Sequence, residues 1–237
     1  MYNLKSGLRT LHFFQDVPAQ AENVPIYIQE SFFSVYRDHG ADWIDEGCPT
    51  DDDGQDVLRS ILFAEAEAER MTAAGGIGVT LRFGAYYGNA MSQMMLEMAR
   101  KRMLPQIGSG AFYVPSLHLD DAADAVRYAL SAQSGVYNVC DDEPLLWRDF
   151  VAAIATAAHG PSPLKLPGFL GRVLFGYPWA WLSRSIRLNN HQFKRATGWE
   201  PRVRNAREGY AAIARGLSPT IPSAHQRAVI PAGDRSR

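Results

Sequence analysis

The strongest structural signals in this chain are Val79-Thr80-Leu81-Arg82-Phe83-Gly84-Ala85-Tyr86-Tyr87-Gly88 and His118-Leu119-Asp120-Asp121-Ala122-Ala123. The first stretch is typical of a buried strand whose carboxyl end opens into a loop bounded by glycines. The second is typical of a strand followed by a helix that Asp120 or Asp121 caps. We therefore predict consecutive strand–loop–helix units.

The segments around these stretches continue the same alternation. Val24–Glu30 has the residues of a strand, and a helix capped by Asp56 runs to Gly75 and Gly76, which typically end a helix. Because this order leaves room for a crossover connection, it predicts a parallel sheet covered by helices, an α/β fold. Further predicted elements are helices at Asn3–Phe14, Met91–Met103, Asp120–Leu130 and Trp147–Ala158, an extended segment at Phe112–Leu119 and a strand at Gly135–Cys140.

The last third of the chain is rich in proline, glycine and aromatic residues. Its most apolar stretch, Phe169–Leu182, is too short and too interrupted by Arg172 and Pro178 to cross a bilayer. We expect a buried or substrate-covering helix there, with attachment to a membrane surface as the alternative because Trp179 and Trp181 suit an interface. Beyond Gly216, prolines and scattered charges predict a disordered tail.

Composition limits the classes of function. The 237 residues include 24 basic and 25 acidic side chains, for a net charge of −1. This balance argues against binding to nucleic acid, which relies on neutralising phosphates. No secretory signal is visible at Met1–Thr10, and no segment predicts a membrane span, so we expect a cytoplasmic protein with reduced Cys48 and Cys140. The histidines and cysteines have no metal-binding spacing, so no metal site is expected.

Six motifs carry a resemblance to a known family. They are Ile26–Ser31 running on to Ser34-Val35-Tyr36, Ala64-Glu65-Ala66-Glu67, Leu81–Gly88, His118–Ala123, Gly135–Val139 and Thr197-Gly198-Trp199-Glu200-Pro201. In this order they resemble the extended or atypical short-chain dehydrogenase/reductases, the NAD-dependent epimerase/dehydratase group. The resemblance implies a partial Rossmann-type parallel sheet flanked by helices, with a small C-terminal substrate lobe.

The resemblance also implies a domain division. Residues 1–160 would form the C-terminal part of an NAD(P)-binding domain with interleaved substrate-lobe segments. Residues 161–215 would form a mainly helical cap lobe, and 216–237 the tail. By comparison with the group, the chain begins about halfway through the cofactor domain, so we expect a truncated relative or a misplaced start.

Two departures from the group bear on chemistry. No Gly-x-Gly-x-x-Gly turn occurs, although such a turn holds the cofactor's diphosphate in relatives. The positions of the group's Tyr-x-x-x-Lys pair are Arg59 and Phe63, and its catalytic Ser or Thr falls on Phe32. Arginine cannot donate a proton near neutral pH. We therefore expect reduced or altered catalysis.

Candidate site residues follow from these alignments. Ser31 and Tyr36 are the catalytic candidates, although nothing in the sequence supplies a base or cation to activate Tyr36. Ser31, Phe83, Gly84 and Ala85 are expected to contact the cofactor, and Arg59, Tyr86, Arg187 and Asn190 the substrate. Arg82 is expected to pair with a carboxylate such as Glu65 or Glu67. A hydrolase using His118 and Asp121 lacks a nucleophile elbow.

The resemblance implies a function in outline. It predicts a protein that binds NAD or NADP and acts on a sugar nucleotide or similar small metabolite, with weak or altered redox chemistry. The alternative is a non-catalytic NAD(P) sensor or interaction protein, or an inactive truncated relative. A small-molecule substrate is the expected partner, with neither nucleic acid nor membrane. Unpaired strand edges lead us to expect poor solubility or a homodimer.

Overall fold

The computed structural model describes residues 24–176, 179 and 183–216. The helix predicted at Asn3–Phe14 and the tail predicted beyond Gly216 lie outside the described residues.

The described chain alternates strands and helices throughout. Its strands are β1 (Ile26–Phe32), β2 (Trp43–Ile44), β3 (Ile77–Phe83), β4 (Ala85–Tyr87), β5 (Gln106–Ile107), β6 (Tyr113–Val114), β7 (Ser116–His118), β8 (Gly135–Val139), β9 (Leu145–Leu146), β10 (Lys165–Leu166) and β11 (Arg187–Leu188). Its helices are α1 (Asp56–Ala73), α2 (Ala90–Arg100), α3 (Leu119–Ala129), α4 (Trp147–Ala157), α5 (Phe169–Phe175), α6 (His191–Thr197) and α7 (Ala206–Ala214).

The largest sheet has three parallel strands in the order β1–β3–β8. The predicted α/β fold with a helix-covered parallel sheet is therefore confirmed. Helix α1 crosses over between β1 and β3, and it approaches β3 so closely that a Cβ on Gly78 would lie 1.8 Å from the carbonyl oxygen of Ala68. Glycine at this position is what allows the helix to pack against the strand.

Short strand pairs join the later segments to this sheet. β4 pairs with β7, and β6 pairs with β9 beside the start of α4. β11 pairs with β2, so residues beyond 183 return to the loop that follows β1. Phe193 and Trp199 pack into the core formed by β3, β8 and α3. Segments from both halves of the described chain therefore build the same core, and the division at residue 160 stays a prediction.

The helix starts differ from the predicted caps. Asp56 is the first residue of α1 and follows Gln55 at the cap position, where no side chain caps the helix. At α3 the cap is His118, whose ring nitrogen accepts a hydrogen bond from the backbone N–H of Asp120. The prediction of Asp120 or Asp121 as a cap is therefore wrong by two or three positions, since a neutral imidazole also accepts a hydrogen bond.

Helix α5 lies in the stretch Phe169–Leu182, where a buried or substrate-covering helix is expected, and three of its apolar side chains are not buried. The side chains of Phe169, Val173 and Leu174 are 69%, 71% and 57% exposed. Apolar composition alone does not show whether a short helix faces the core or the solvent. No helix in the described ranges combines the length and apolar character needed to span a membrane.

Candidate functional site

A row of polar residues crosses the carboxyl end of the main sheet. Ser31 on β1 is in register with Arg82 on β3, and Arg82 is in register with Asn138 on β8. Residues in register on parallel strands point to the same face of the sheet. All three are at most 6% exposed. The carboxyl edge is where open α/β sheets bind ligands, so the row lies at the expected end of the fold.

Helix α1 supplies the counter-charge for this row. Glu65 accepts two hydrogen bonds from Arg82, from Nε at 2.9 Å and from Nη2 at 2.6 Å. The hydroxyl of Ser31 also donates to Glu65. The expected pairing of Arg82 with Glu65 is thus confirmed, while Glu67 pairs with Arg70. Burial disfavours the charge of Arg82, yet the hydrogen bonds that it donates to Glu65 leave the pKa of the guanidinium above its usual value.

Tyr36 is also part of this network. Its hydroxyl accepts a hydrogen bond from Arg82 Nη1 at 2.8 Å and donates one to Asn138 Oδ1 at 2.8 Å. The expectation that no cation lies near Tyr36 is therefore wrong, because Arg82 contacts it through a fold-level register that the sequence does not reveal. Burial outweighs this contact and raises the pKa of Tyr36 to about 12. A buried phenol with this raised pKa keeps its proton at neutral pH.

An aromatic wall lies at the same end of the sheet but on the opposite face from the row, because Phe32 and Phe83 follow Ser31 and Arg82 along their strands. The ring of Tyr86 lies 5.5 Å from that of Phe83 and 6.5 Å from that of Phe32, measured between centroids. The Tyr86 hydroxyl donates to Glu30 Oε1 at 2.8 Å, and burial raises its pKa above the usual value. Ala85 is half-buried next to this wall. Flat apolar surfaces of this kind suit the face of a ring in a ligand.

The backbone donors near the wall are already used. The amides of Gly84 and Ala85 donate to the carbonyls of Val139 and Pro115 at 2.9 and 2.8 Å. At the start of α2, the side chain of Asn89 accepts from two backbone amides. A phosphate group needs free donors of this type. Among the described residues, these amides therefore offer no free donors to a diphosphate.

A second feature lies where the loop after β1 meets the segment before β11. An open polar cavity of about 540 Å³ is lined by Arg37, Asp38, Asp51, Asp53, Ser183 and Arg184. Arg184 donates to the carbonyls of Ser34 and Tyr36 and pairs with Asp53 at 3.0 Å. This cavity therefore adjoins the backbone of the polar network and has room for a small polar molecule.

Comparisons with known proteins bear on the fold. No family model matches the chain. Over 157 residues the chain is 28% identical to the epimerase family protein YfhF of Bacillus subtilis, a match that covers 65% of this chain and 51% of that protein. The chain thus spans about half the length of this relative. Two solved structures share the fold: a functionally unknown conserved protein from Silicibacter pomeroyi (TM-score 0.70, 23% identity, 81% of this chain and 67% of that one) and the human epimerase family protein SDR39U1 with NADPH (TM-score 0.69, 20% identity, 91% and 77%).

The resemblance to the epimerase/dehydratase group is confirmed. The fold match extends over most of this chain, 81% and 91% of it for the two structures.

The structure separates the candidate residues into different environments. Ser31 and Tyr36 lie together in the buried network, and Phe83, Gly84, Ala85 and Tyr86 lie together at the aromatic wall. Arg59 lies on the exposed side of α1, where it pairs with Asp52 at 3.0 Å and Asp56 at 3.1 Å. Whether any of these residues binds a ligand stays a prediction.

The remaining substrate candidates, Arg187 and Asn190, lie near β2 and β8. The guanidinium of Arg187 stacks over Trp43 at 4.1 Å and Tyr113 at 4.9 Å. Asn190 is 3% exposed and donates to Cys140 O and Asp142 Oδ1. Asn190 therefore ties α6 to the end of β8, and Arg187 holds the β2–β11 pair.

The contacts of His118 and Asp121 bear on the hydrolase alternative, and the arrangement of possible ligands bears on a metal site. His118 caps α3, and Asp121 accepts from the backbone of Val203 at 3.1 Å. In the part of the chain that the structure describes, no group of three or more His, Cys, Asp or Glu side chains is placed to hold a metal ion. The two cysteines are free thiols, as expected.

Sequence reasoning did not predict Asn138 and Glu30 as parts of this region, and it noted Phe32 only as the counterpart of the group's catalytic Ser or Thr. Asn138 lies within a motif quoted for the resemblance, but its contact with Tyr36 depends on the register of β8. Glu30 and Phe32 alternate along β1, so a period-two pattern would have placed them on the same face.

Proposed function

We propose that this chain forms the nicotinamide-facing side of an NAD(P) site in an epimerase/dehydratase-like protein with reduced or altered catalysis. A sugar nucleotide or similar small metabolite is the proposed substrate. The observation that carries the proposal is a network of side chains that hydrogen-bond to one another: Ser31, Glu65, Arg82, Tyr36 and Asn138. It lies at the ligand-binding edge of the sheet, yet each of its hydroxyls is committed to a partner within the protein.

The wall of Phe32, Phe83 and Tyr86 supports the cofactor part of the proposal. It provides flat apolar contact beside Ala85, and the human epimerase family protein with the same fold was solved with NADPH. When bound, such a cofactor supplies a hydride donor or acceptor. The residues of this chain would position its ring, and the neutral Tyr36 would keep the adjacent sheet edge rigid.

The cofactor part is tested by titrating the purified chain with NADH and with NADPH and following nicotinamide fluorescence. Ala85→Glu places a charge at the aromatic wall. This variant is expected to weaken cofactor binding roughly tenfold or more, because the new carboxylate must be desolvated when the cofactor binds. Ala152→Glu on exposed α4 is the matched control and should leave binding unchanged. No binding up to millimolar cofactor, or equal binding by both variants, would contradict the proposal.

A second candidate function is that of a non-catalytic NAD(P) sensor or interaction protein. The same network favours it, because the hydroxyls of Ser31 and Tyr36 both hydrogen-bond to side chains of the protein itself. Turnover distinguishes the two functions. The sensor is supported if the chain binds the cofactor but does not oxidise or reduce it in the presence of sugar nucleotides such as UDP-glucose.

A further inference from the structure

Helix α5 presents an apolar surface to solvent. Phe169, Val173 and Leu174 are more than half exposed, and Phe169 and Val173 are one turn apart, so they lie on the same side of the helix. Large exposed apolar side chains that cluster on a soluble domain mark interaction sites more often than chance.

The opposite side of α5 is fixed against the protein. A Cβ on Gly171 would lie 2.2 Å from the ring of Trp179, so the glycine allows helix and indole to touch. Trp179 in turn meets Phe112 edge to face, with 6.2 Å between ring centroids. Gly171 lies about half a turn from both Phe169 and Val173. The apolar side chains therefore face outward because the helix is seated on its other side.

The segment of sequence that contains α5 carries only basic charges, although Arg184 and Lys194 pair with acidic residues from outside it. From Phe150 to Trp199 the sequence contains no aspartate or glutamate, while it contains Lys165, Arg172, Arg184, Arg187, Lys194 and Arg195. Lys165 and Arg172 are exposed, and the ion pairs found in the described part of the chain include neither of them. Exposed apolar residues flanked by unpaired basic residues are complementary to an anionic, amphipathic surface.

We propose that α5 docks on the surface of a bilayer containing anionic phospholipid. Phe169 and Val173 enter the boundary between headgroups and acyl chains, and Lys165 and Arg172 contact headgroup phosphates. The helix is far shorter than a membrane span, so it lies in the plane of the interface. This inference goes beyond the proposed cofactor site and does not depend on it.

The test is sedimentation of the full-length chain with vesicles of phosphatidylcholine alone or with about one third phosphatidylglycerol. We expect binding to the anionic vesicles. Phe169→Ser with Val173→Ser should weaken it by roughly tenfold for each side chain, and Lys165→Gln with Arg172→Gln by roughly fivefold for each charge.

The matched control is Val126→Ser with Leu130→Ser at α3, where the side chains are 43% and 57% exposed. This variant should bind as the wild type does, and thermal melts should show all variants folded. Three results would overturn the proposal: no binding to either vesicle, equal loss in the α3 variant, or an α5 variant whose only change is loss of a dimer in light scattering.

Discussion

Arg82 contacts Glu65 through two hydrogen bonds and Tyr36 through a third, all within the protein interior. A buried ion pair of this kind contributes less net stability than its Coulomb energy suggests, because both charges are desolvated. Removing one partner, however, leaves the other charge buried and uncompensated. Removing one member of the Arg82–Glu65 pair is therefore expected to lower the free energy of unfolding strongly. Replacing both members together is expected to change it little.

Arg82→Met is expected to lower the free energy of unfolding by about 3–5 kcal/mol. The double variant Arg82→Met with Glu65→Leu should recover most of this loss, since it removes both charges. Urea denaturation measures both. Arg59→Met, which breaks an exposed ion pair, is the control and should have little effect. If the single and the double variant were equally stable, the explanation that Arg82→Met leaves Glu65 as an uncompensated buried charge would be wrong.

Tyr36 gives a prediction at alkaline pH. Its pKa is raised from 10.0 to about 12 in the folded chain, so between these values the folded state binds the proton and the unfolded state releases it. Stability is therefore lost as pH rises through this window, by up to about 1.4 kcal/mol per pH unit from this group. Tyr36→Phe should show a shallower decline in urea titrations from pH 10 to 12. Identical slopes in the wild type and in Tyr36→Phe would contradict the raised pKa of Tyr36.

The sequence predicts some of these contacts and not others. The pairing of Arg82 with Glu65 follows from one basic residue in an apolar strand and the acidic residues of the preceding helix. The contact between Tyr36 and Arg82 does not follow, because it requires the register of β1 against β3 and the path of the chain after Phe32. Long-range register is set by the whole sheet and not by local pattern.

Among the elements, α3 depends on a neutral histidine. His118 accepts from the N–H of Asp120 at 3.2 Å, and burial lowers the pKa of the imidazole below its ordinary 6.5. Protonation removes the acceptor. Because the folded pKa is depressed, the stabilising effect is complete above the unfolded pKa and is lost as pH falls through the folded one.

His118→Asn keeps a capping acceptor that does not titrate. The slope of unfolding free energy against pH, measured below pH 6.5, should be positive in the wild type and smaller in this variant. An unchanged slope would show that other groups cause the acid sensitivity.

Several elements lie within a few residues of the positions that hydrophobic period and glycines predict, whereas β2, β10, β11, α6 and α7 have no counterpart among the predictions. β1 begins at Ile26 instead of Val24, and α2 ends at Arg100 instead of Met103. Element ends and caps depend on backbone geometry and not on residue type alone. The orientation of α5 was not predictable, because its outward face is set by contact between Gly171 and Trp179.

For the whole molecule, the described part of the sheet leaves β1 at an edge, where Ile26 is 39% exposed. The expected homodimer or poor solubility stays a prediction, and light scattering of the purified chain measures it. The central claim concerns the opposite end of the sheet: Ser31 and Tyr36 hold the fold together and transfer no proton.

The most direct measurement of that claim is the rate of nicotinamide oxidation or reduction, followed by absorbance, in the wild type and in Tyr36→Phe with NADPH and a sugar nucleotide. The account predicts the same rate in both proteins, or no turnover in either, while Tyr36→Phe is less stable to urea. A wild-type rate that disappears in a folded Tyr36→Phe variant would contradict it.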